Sequence, residues 1–471
     1  MPASFSVDSH RQFAELSGDF NPIHMDAVAA RRTQAGAPVV HGVHALLRLL
    51  DGLVAAEPAL PAVSALKASF RRMIYVGDSA QLSVRQRTET SLRAGLLVDG
   101  VEVVGTTLRF VPGKAPAAPD AGDEPAIASP PQPLDRALDQ MQGMRGRLQF
   151  AQPAECTARM FPNAARYLGA NRVAALACSS TLVGMVVPGL YSLYGELDVT
   201  LETGGGSAEL DYQVLSVDPR FRMLRIAVRG GGLVGLVSAI CRPSPVAQPD
   251  MSAMSRRVAP AEFSGSDALI VGGSRGIGEA TAKLIAAGGG QVMLTYRSGR
   301  ADADAVVRQI VDWGGECQAA PYDAQQPALA QVEQLPRAPT HVYYFATPTI
   351  ARRRVGLFDA SRFEEFNRYY VSGFLELVEA CLRRRPDGVR FFYPSTVYVA
   401  DRPPDMTEYA MSKAAGEVLC ADLVRQLRQV RIVVHRLPRI ATDQTASLIP
   451  IAAVEAHEVM LPIVREMHTT S

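Results

Sequence analysis

The stretch from Asp267 to Gly299, DALIVGGSRGIGEATAKLIAAGGGQVMLTYRSG, constrains the fold of this 471-residue chain more than any other segment. A short apolar run leads into a turn in which Gly272, Gly276 and Gly278 have G-x-x-x-G-x-G spacing, and an amphipathic helix and a second apolar run follow. Antiparallel strands can be joined by two residues, whereas a helix between strands implies a parallel pair and a crossover. The segment therefore predicts a Rossmann-type, doubly wound parallel sheet with helices on both faces. Glycines in the first turn let the backbone close tightly and bring a helix N-terminus up to a pyrophosphate.

A second pattern follows in the same block. Tyr409 and Lys413, in Y-A-M-S-K, are spaced one helical turn apart and share a face, just after the strand-like run RFFYPSTVY. Together with the glycine turn, the block resembles the short-chain dehydrogenase/reductase family. That resemblance implies Tyr409 as acid/base at a carbonyl or alcohol oxygen. Lys413 would lower its pKa and hold the nicotinamide ribose. Thr396, 13 residues before the tyrosine, would be the hydroxyl partner, with Ser395 beside it as the alternative. Gly272, Ser274, Arg275, Gly276, Ile277 and Gly278 would cradle the cofactor, Tyr322-Asp323 would meet the adenine, and Ile440 and Thr442 the carboxamide. The second strand ends in Tyr296-Arg297-Ser298 without an acid, and Arg275 lies inside the turn. Two cations and no carboxylate suit a 2′-phosphate, so NADP(H) is the expected cofactor. Three departures stand out: Phe345 to Pro348 replaces the family's N-A-G stretch, Tyr370 takes the place of its relay asparagine, and Pro438-Arg439 that of its proline-glycine. The last residues, AAVEAHEVMLPIVREMHTTS, read as a helix.

Two proline-rich stretches divide the rest. Gly113 to Pro133 holds six prolines and almost no large apolar residues, and a second cluster runs from Arg242 to Pro260. The expected organisation is a block at 1–112, a linker at 113–133, a block at 134–242, a linker at 243–260 and the nucleotide-binding block at 261–471. The first two blocks look like repeats: VVHGVHALLRLL (Val39 to Leu50) matches VVPGLYSLYGEL (Val186 to Leu197), and GDSAQLSV (Gly77 to Val84) matches GSAELDYQV (Gly206 to Val214). In each, an apolar helix would precede alternating strands of an antiparallel sheet.

The first block carries FAELSGDFNPIHMD, Phe13 to Asp26, followed by VVHG. Asn21-Pro22 disfavours helix before the proline, so Asp19 and His24 are presented from a turn. A carboxylate and an imidazole on one water can take its proton and return one to a neighbouring carbon, which is worth roughly 10²–10⁴ in rate. This segment resembles the MaoC-like (R)-specific enoyl-thioester hydratases, a hotdog-fold family. The resemblance implies Asp19 and His24 as the catalytic pair, Asn21 as a brace, and the Gly42 N–H, opening the central helix, as donor to the thioester oxygen. His41 would shape the pocket, and His44 would pack. The second block, with FPNAARYLGAN around Asn163 and Pro188 at the place of His41, lacks the pair. It reads as a structural half of a double hotdog with one hydration centre per chain.

Composition narrows the partners. A net charge of +1 and 20% charged residues give no case for nucleic acid or an anionic membrane. The opening MPASFSVDSHRQF lacks a basic start before an apolar core, so a cytoplasmic location is expected. Six cysteines without metal-ligand spacing suggest reduced thiols and no metal. Only four of the 48 basic residues are lysines: Lys67, Lys114, Lys283 and Lys413.

The expected activity is bifunctional. A 3-hydroxyacyl thioester on CoA or acyl carrier protein is both the product of a 3-ketoacyl reductase and the substrate of a dehydratase. The alternatives are a hydratase with a structural nucleotide-binding block, or a reductase of another carbonyl with an acyl-binding hotdog. Reductases of this type associate, so a homo-oligomer, a dimer, is expected.

Overall fold

The computed structural model describes residues 2–111, 113, 119, 125–203, 207–350, 358–443, 445 and 452–469. These residues divide into two compact units, an N-terminal one up to Ser244 and a C-terminal one from Pro245 onward.

The N-terminal unit is built on one antiparallel sheet. Its strands are β1 (Pro2–Ser4), β2 (Ala65–Phe70), β3 (Ser79–Arg87), β4 (Ser91–Val98), β5 (Val101–Arg109), β6 (Arg145–Gln149), β7 (Ser192–Leu201), β8 (Glu209–Asp218), β9 (Met223–Gly230) and β10 (Leu233–Cys241). Their order is β1-β3-β4-β5-β2-β7-β10-β9-β8-β6. Reading outward from the centre, both halves run in the same sequence of positions, and β2 joins β7 antiparallel with Ala68 opposite Leu197. Each half sends one apolar helix against the sheet. In the Gly42–Ala56 helix Val43, Leu46, Leu47, Leu49, Leu50, Leu53 and Val54 are all buried, a stripe too wide for a surface helix and suited to one wrapped by a sheet. Each such leucine contributes about 1.5–3 kcal/mol by leaving water. Its counterpart is Ala170–Thr181, whose last nine residues are buried. The two halves share one apolar core.

The repeat is real in topology, but one of its sequence pairings is displaced. Val186–Leu197, matched to the helical Val39–Leu50, instead spans the end of a π-helical turn (Leu182–Val186), a loop and the first part of β7. A dozen mostly apolar residues fit a buried helix or a buried strand equally well by pattern, and neighbouring strands settled the choice here. The other pairing falls on β3 and β8, which occupy equivalent places. Asn163 lies in the Pro162–Leu168 helix, where Asp51 accepts from the N–H groups of Asn163 and Ala164 at 2.7 and 3.0 Å.

Both expected linkers are partly ordered into the units. Ile127 bridges Leu148, and Ser129 Oγ donates to the Gly18 carbonyl at 2.8 Å. Residues Met251–Ser255 form a helix, and Met251 and Met254 enter the apolar core of the C-terminal unit.

That unit holds β11 (Asp267–Val271), β12 (Gln291–Tyr296), β13 (Cys317–Pro321), β14 (His341–Tyr344), β15 (Val389–Thr396) and β16 (Val430–Leu437). All pairs are parallel, in the order β13-β12-β11-β14-β15-β16. Two apolar clusters, one on each face, carry the covering helices. The order reverses between β11 and β14, which opens a crevice at the carboxyl ends of those strands. The closing stretch is the helix Ala456–His468, and no strand follows β16 among the described residues.

Candidate active sites

In the N-terminal unit the Val7–Ser17 helix stops at Gly18, whose φ of 82° is left-handed and whose N–H returns to Ala14. The chain then turns through Asp19 and Asn21 into the short Pro22–Met25 helix, capped by Asn21 Oδ1 accepting from Ile23 N at 3.1 Å. The other end of the Asn21 amide donates to the carbonyls of Gly184 at 2.6 Å and Gly189 at 3.1 Å. Asn21 thus ties the turn to the second half of the unit.

Asp19 is 1% exposed. Its Oδ1 accepts from Asn21 N at 3.2 Å and its Oδ2 from Ser180 Oγ at 2.7 Å. Burial pushes its carboxyl above the usual range, opposed by His24 and by these two hydrogen bonds. His24, partly exposed, uses Nδ1 on the Val39 carbonyl at 2.7 Å. Burial holds its imidazole below the ordinary value, Asp19 and the Val39 carbonyl oppose that, and Arg242 adds to it. Burial thus acts on the two groups in opposite senses, raising the acid and lowering the imidazole, while each opposes the shift of the other.

His41 precedes the Gly42–Ala56 helix and uses Nε2 on the Asp19 carbonyl at 2.9 Å. A Cβ on Gly42 would lie 2.8 Å from the Phe70 ring, so the helix start accepts only glycine without displacing Phe70. The first N–H groups of a helix have no intrahelical acceptor and carry a partial positive charge, which suits a developing oxyanion. His44 points away, into the aromatic packing of Phe5, Phe13 and Phe161.

Ring nitrogens of His10, His24 and His41 come within 4.8 Å of one another. His24 and His41 stack face to face, however, with centroids 3.9 Å apart. Their in-plane lone pairs run side by side instead of converging on one ion, so the cluster reads as packed imidazoles. Sequence reasoning missed Ser180, Gly184 and Arg242 at this site. A Cβ on Gly184 would run into the Asp19 carboxylate, and Arg242 is held on the Leu190 and Ser192 carbonyls at 3.2 and 3.4 Å.

In the C-terminal unit the glycine turn links β11 to the Gly276–Ala287 helix. Gly272 has a φ of 84° and its N–H donates to Thr295 Oγ1 at 3.1 Å, while a Cβ on Gly278 would run into the Gly272 carbonyl. Ser274 is buried beside it. Ile277 packs on the apolar core, and its carbonyl accepts from Thr281 Oγ1 at 2.8 Å. Arg275 faces Asp443 at 3.5 Å, and Arg297 donates to the Tyr369 hydroxyl at 2.6 Å. Asp323 N donates to Gln331 Oε1 at 2.7 Å, and the Tyr322 hydroxyl is buried without a hydrogen-bond partner among the described residues. Thr442 N donates to Thr445 Oγ1 at 3.0 Å, and its methyl comes to 3.4 Å from a Cβ placed on Gly276.

Tyr409 and Lys413 open the Thr407–Gln426 helix. Burial pushes the Tyr409 phenol up to about 12, against a hydrogen bond from Thr396, so the lowering expected from Lys413 is not found: desolvation outweighs it. Ser395, one residue earlier on β15, instead donates to Glu417. Glu417 lies about two turns beyond Tyr409 on the same helix, so the two neighbouring hydroxyls meet it at different points and Thr396 is the one at Tyr409. The Lys413 ammonium donates to the Pro394 carbonyl at 2.6 Å and sits 3.8 Å from the centre of the Tyr370 ring. Burial brings it down to about 7.

Residues 2–103 match the family described as MaoC like domain, and residues 268–464 match the NAD dependent epimerase/dehydratase family. An uncharacterized oxidoreductase of Methylorubrum extorquens is 28% identical over 194 residues, covering 39% of this chain and 77% of the relative. The (R)-specific enoyl-CoA hydratase of Aeromonas caviae is 37% identical over 76 residues, 15% of this chain and 54% of that enzyme. The 3-oxoacyl-[acyl-carrier-protein] reductase of Synechocystis is 51% identical over 49 residues, 10% of this chain and 20% of that enzyme. The chain thus carries a MaoC-like domain at its N-terminus and an NAD-dependent epimerase/dehydratase-type domain at its C-terminus.

Proposed function

We propose that the chain is a bifunctional acyl-thioester enzyme, an (R)-3-hydroxyacyl dehydratase/enoyl hydratase joined to an NADP-dependent 3-ketoacyl reductase. The carrying observation is the Asp19–His24 turn, braced by Asn21 and set beside the N-terminus of the Gly42–Ala56 helix. The ten-strand unit, with one long apolar helix from each half against its sheet, is read as a double hotdog in which the second half serves as the wall of a single site. In hydration, the Asp19–His24 pair takes a proton from water as its oxygen joins C3 and returns one to C2. Gly42 N–H holds the thioester oxygen meanwhile. Dehydration is the reverse, and the A. caviae relative's name supports the (R) hand.

For the reductase, the residues present fit NADP(H). Gly272, Ser274, Gly276 and Gly278 leave the backbone close to a helix N-terminus, and Ile277 anchors that helix to the core. Arg275 and Arg297 supply charge for a 2′-phosphate, with Asp323 and Thr442 at the adenine and carboxamide positions. The bound nicotinamide supplies the hydride. Tyr409 gives its proton to the carbonyl oxygen, Thr396 orients that oxygen, and the Lys413 charge stabilises the tyrosinate left behind. The name of the Synechocystis relative fits a 3-ketoacyl thioester, on CoA or carrier protein.

The test supplies a trans-2-enoyl-CoA with NADP⁺ and follows loss of the enoyl group and appearance of NADPH. Coupled signals that both vanish in Asp19→Asn, with only NADPH lost in Tyr409→Phe, support the reading. Hydration without any NADPH makes the C-terminal unit a structural module.

A further inference from the structure

Tyr370 occupies the middle of a π-helical turn, Arg368–Ser372, that feeds the Gly373–Arg384 helix. Such single-turn widenings re-aim side chains and often sit at functional sites. Here the widening delivers a phenol ring onto Lys413. The ring is fixed on every side: its hydroxyl shares a hydrogen bond with Thr347 Oγ1 at 2.5 Å, and it stacks on Phe366 at 5.8 Å. The backbone carbonyl of Tyr370 accepts from the Tyr393 hydroxyl at 3.0 Å. Gly416, one turn beyond Lys413, makes that last bond possible, since a Cβ there would run into Tyr393.

Lys413 is therefore enclosed by three aromatic rings, Tyr370 at 3.8 Å, Tyr393 at 5.1 Å and Tyr409 at 6.0 Å, and its ammonium donates to the Pro394 carbonyl. The other ionisable groups facing it are Cys420 and Glu417 on its own helix. Glu417 is itself paired with Arg436 from β16. A cation over an aromatic face gains less than full hydration of an ammonium provides.

Building on the proposed reductase reading, we infer that Tyr370 is a positioning residue for this reaction. Its ring face holds the Lys413 ammonium beside Tyr409 in a dry cage where a hydrogen-bonding amide would otherwise admit water. The consequence is a lysine that keeps its place but gives up its charge readily. Reduction needs that charge beside the forming tyrosinate, so its rate declines as pH rises through the lysine's titration, near 7.

The chain has four lysines, so lysine labelled with ¹³C at Cε gives few signals. In the full-length protein one lysine should show Cε protons shifted upfield by the ring and a titration midpoint near 7. Tyr370→Phe should keep both features. Tyr370→Asn should abolish the upfield shift and raise the midpoint by one unit or more, moving the alkaline limb of NADPH-dependent reduction with it. Tyr370→Leu, which keeps the site apolar should the asparagine variant not fold, should abolish the upfield shift and lower the midpoint. Absence of an upfield lysine in the native protein, or its persistence in the leucine variant, overturns the inference. An upfield, low-titrating lysine in a protein that oxidises no NADPH leaves the cage standing and refutes the reductase reading instead.

Discussion

The Ser180 hydroxyl donates to Asp19 Oδ2 at 2.7 Å, so the acid of the first half is held by a helix of the second. Burial raises Asp19 and this bond pulls it back toward ionisation. Removing the bond in Ser180→Ala should raise it further. In the proposed hydration the carboxylate form acts, present above its pKa and lost as pH falls through it, so the acidic limb of kcat/KM for hydration should move up by about one pH unit, since a hydrogen bond to a charge is worth about 1.5–3 kcal/mol and one unit is about 1.4. A pH profile of enoyl-CoA hydration checks this, and an unchanged limb with rates merely scaled down counts against it.

Gly184 touches no substrate in the proposed reaction, yet a Cβ there collides with the Asp19 carboxylate. Gly184→Ala should cut hydration by about 10²-fold or more through displacement of the acid. NADPH-dependent reduction in the same preparation should be untouched, which separates local displacement from unfolding. Comparing the two rates decides the matter.

His44 has both ring nitrogens buried between Phe5, Phe13 and Phe161, without a hydrogen-bond partner among the described residues. Unpaired buried polar atoms cost about 1–3 kcal/mol, so His44→Phe should raise the melting temperature. Burial holds the His44 imidazole well below 6.5. The folded chain keeps it neutral while the unfolded chain takes a proton below about 6.5, so its share of stability is complete above that pH and declines as pH falls. The variant should flatten the acid side of the stability curve by up to about 1.4 kcal/mol per pH unit. Denaturant melts between pH 7 and 5 measure it.

Arg275→Ala and Arg297→Ala should each weaken NADPH binding by about 10–100-fold and leave NADH binding nearly unchanged, the loss expected for a charged hydrogen bond to a phosphate. In the present arrangement Arg275 faces Asp443, so Asp443→Asn should have the opposite effect on NADPH affinity. Titration calorimetry with both nucleotides checks the pattern.

What the sequence showed and what it hid follow a physical line. The Asp19–His24 turn, the glycine turn and the Tyr409–Lys413 spacing are local, because each is written in consecutive residues whose turn chemistry or helical period is readable directly. Thr396 was separable from Ser395 only once packing of β15 on the helix fixed which hydroxyl meets Tyr409 and which meets Glu417. Ser180, Gly184 and Arg242 lie some 160 or more positions beyond Asp19, and only packing of the two halves brings them to it. Tyr370 was visible as a departure from a pattern, but its contact with Lys413 depends on a widened helical turn that no period reveals.

The antiparallel junction of β2 with β7 joins two halves that belong to one covalent chain. In an assembly of identical subunits any change near one acid is copied to every acid, so support and chemistry must share the same residues. Here they are free to differ: one half can carry the carboxylate and imidazole while the other supplies a serine, a glycine and an arginine around them. The site is therefore encoded once, and each wall of it can be altered without altering its opposite.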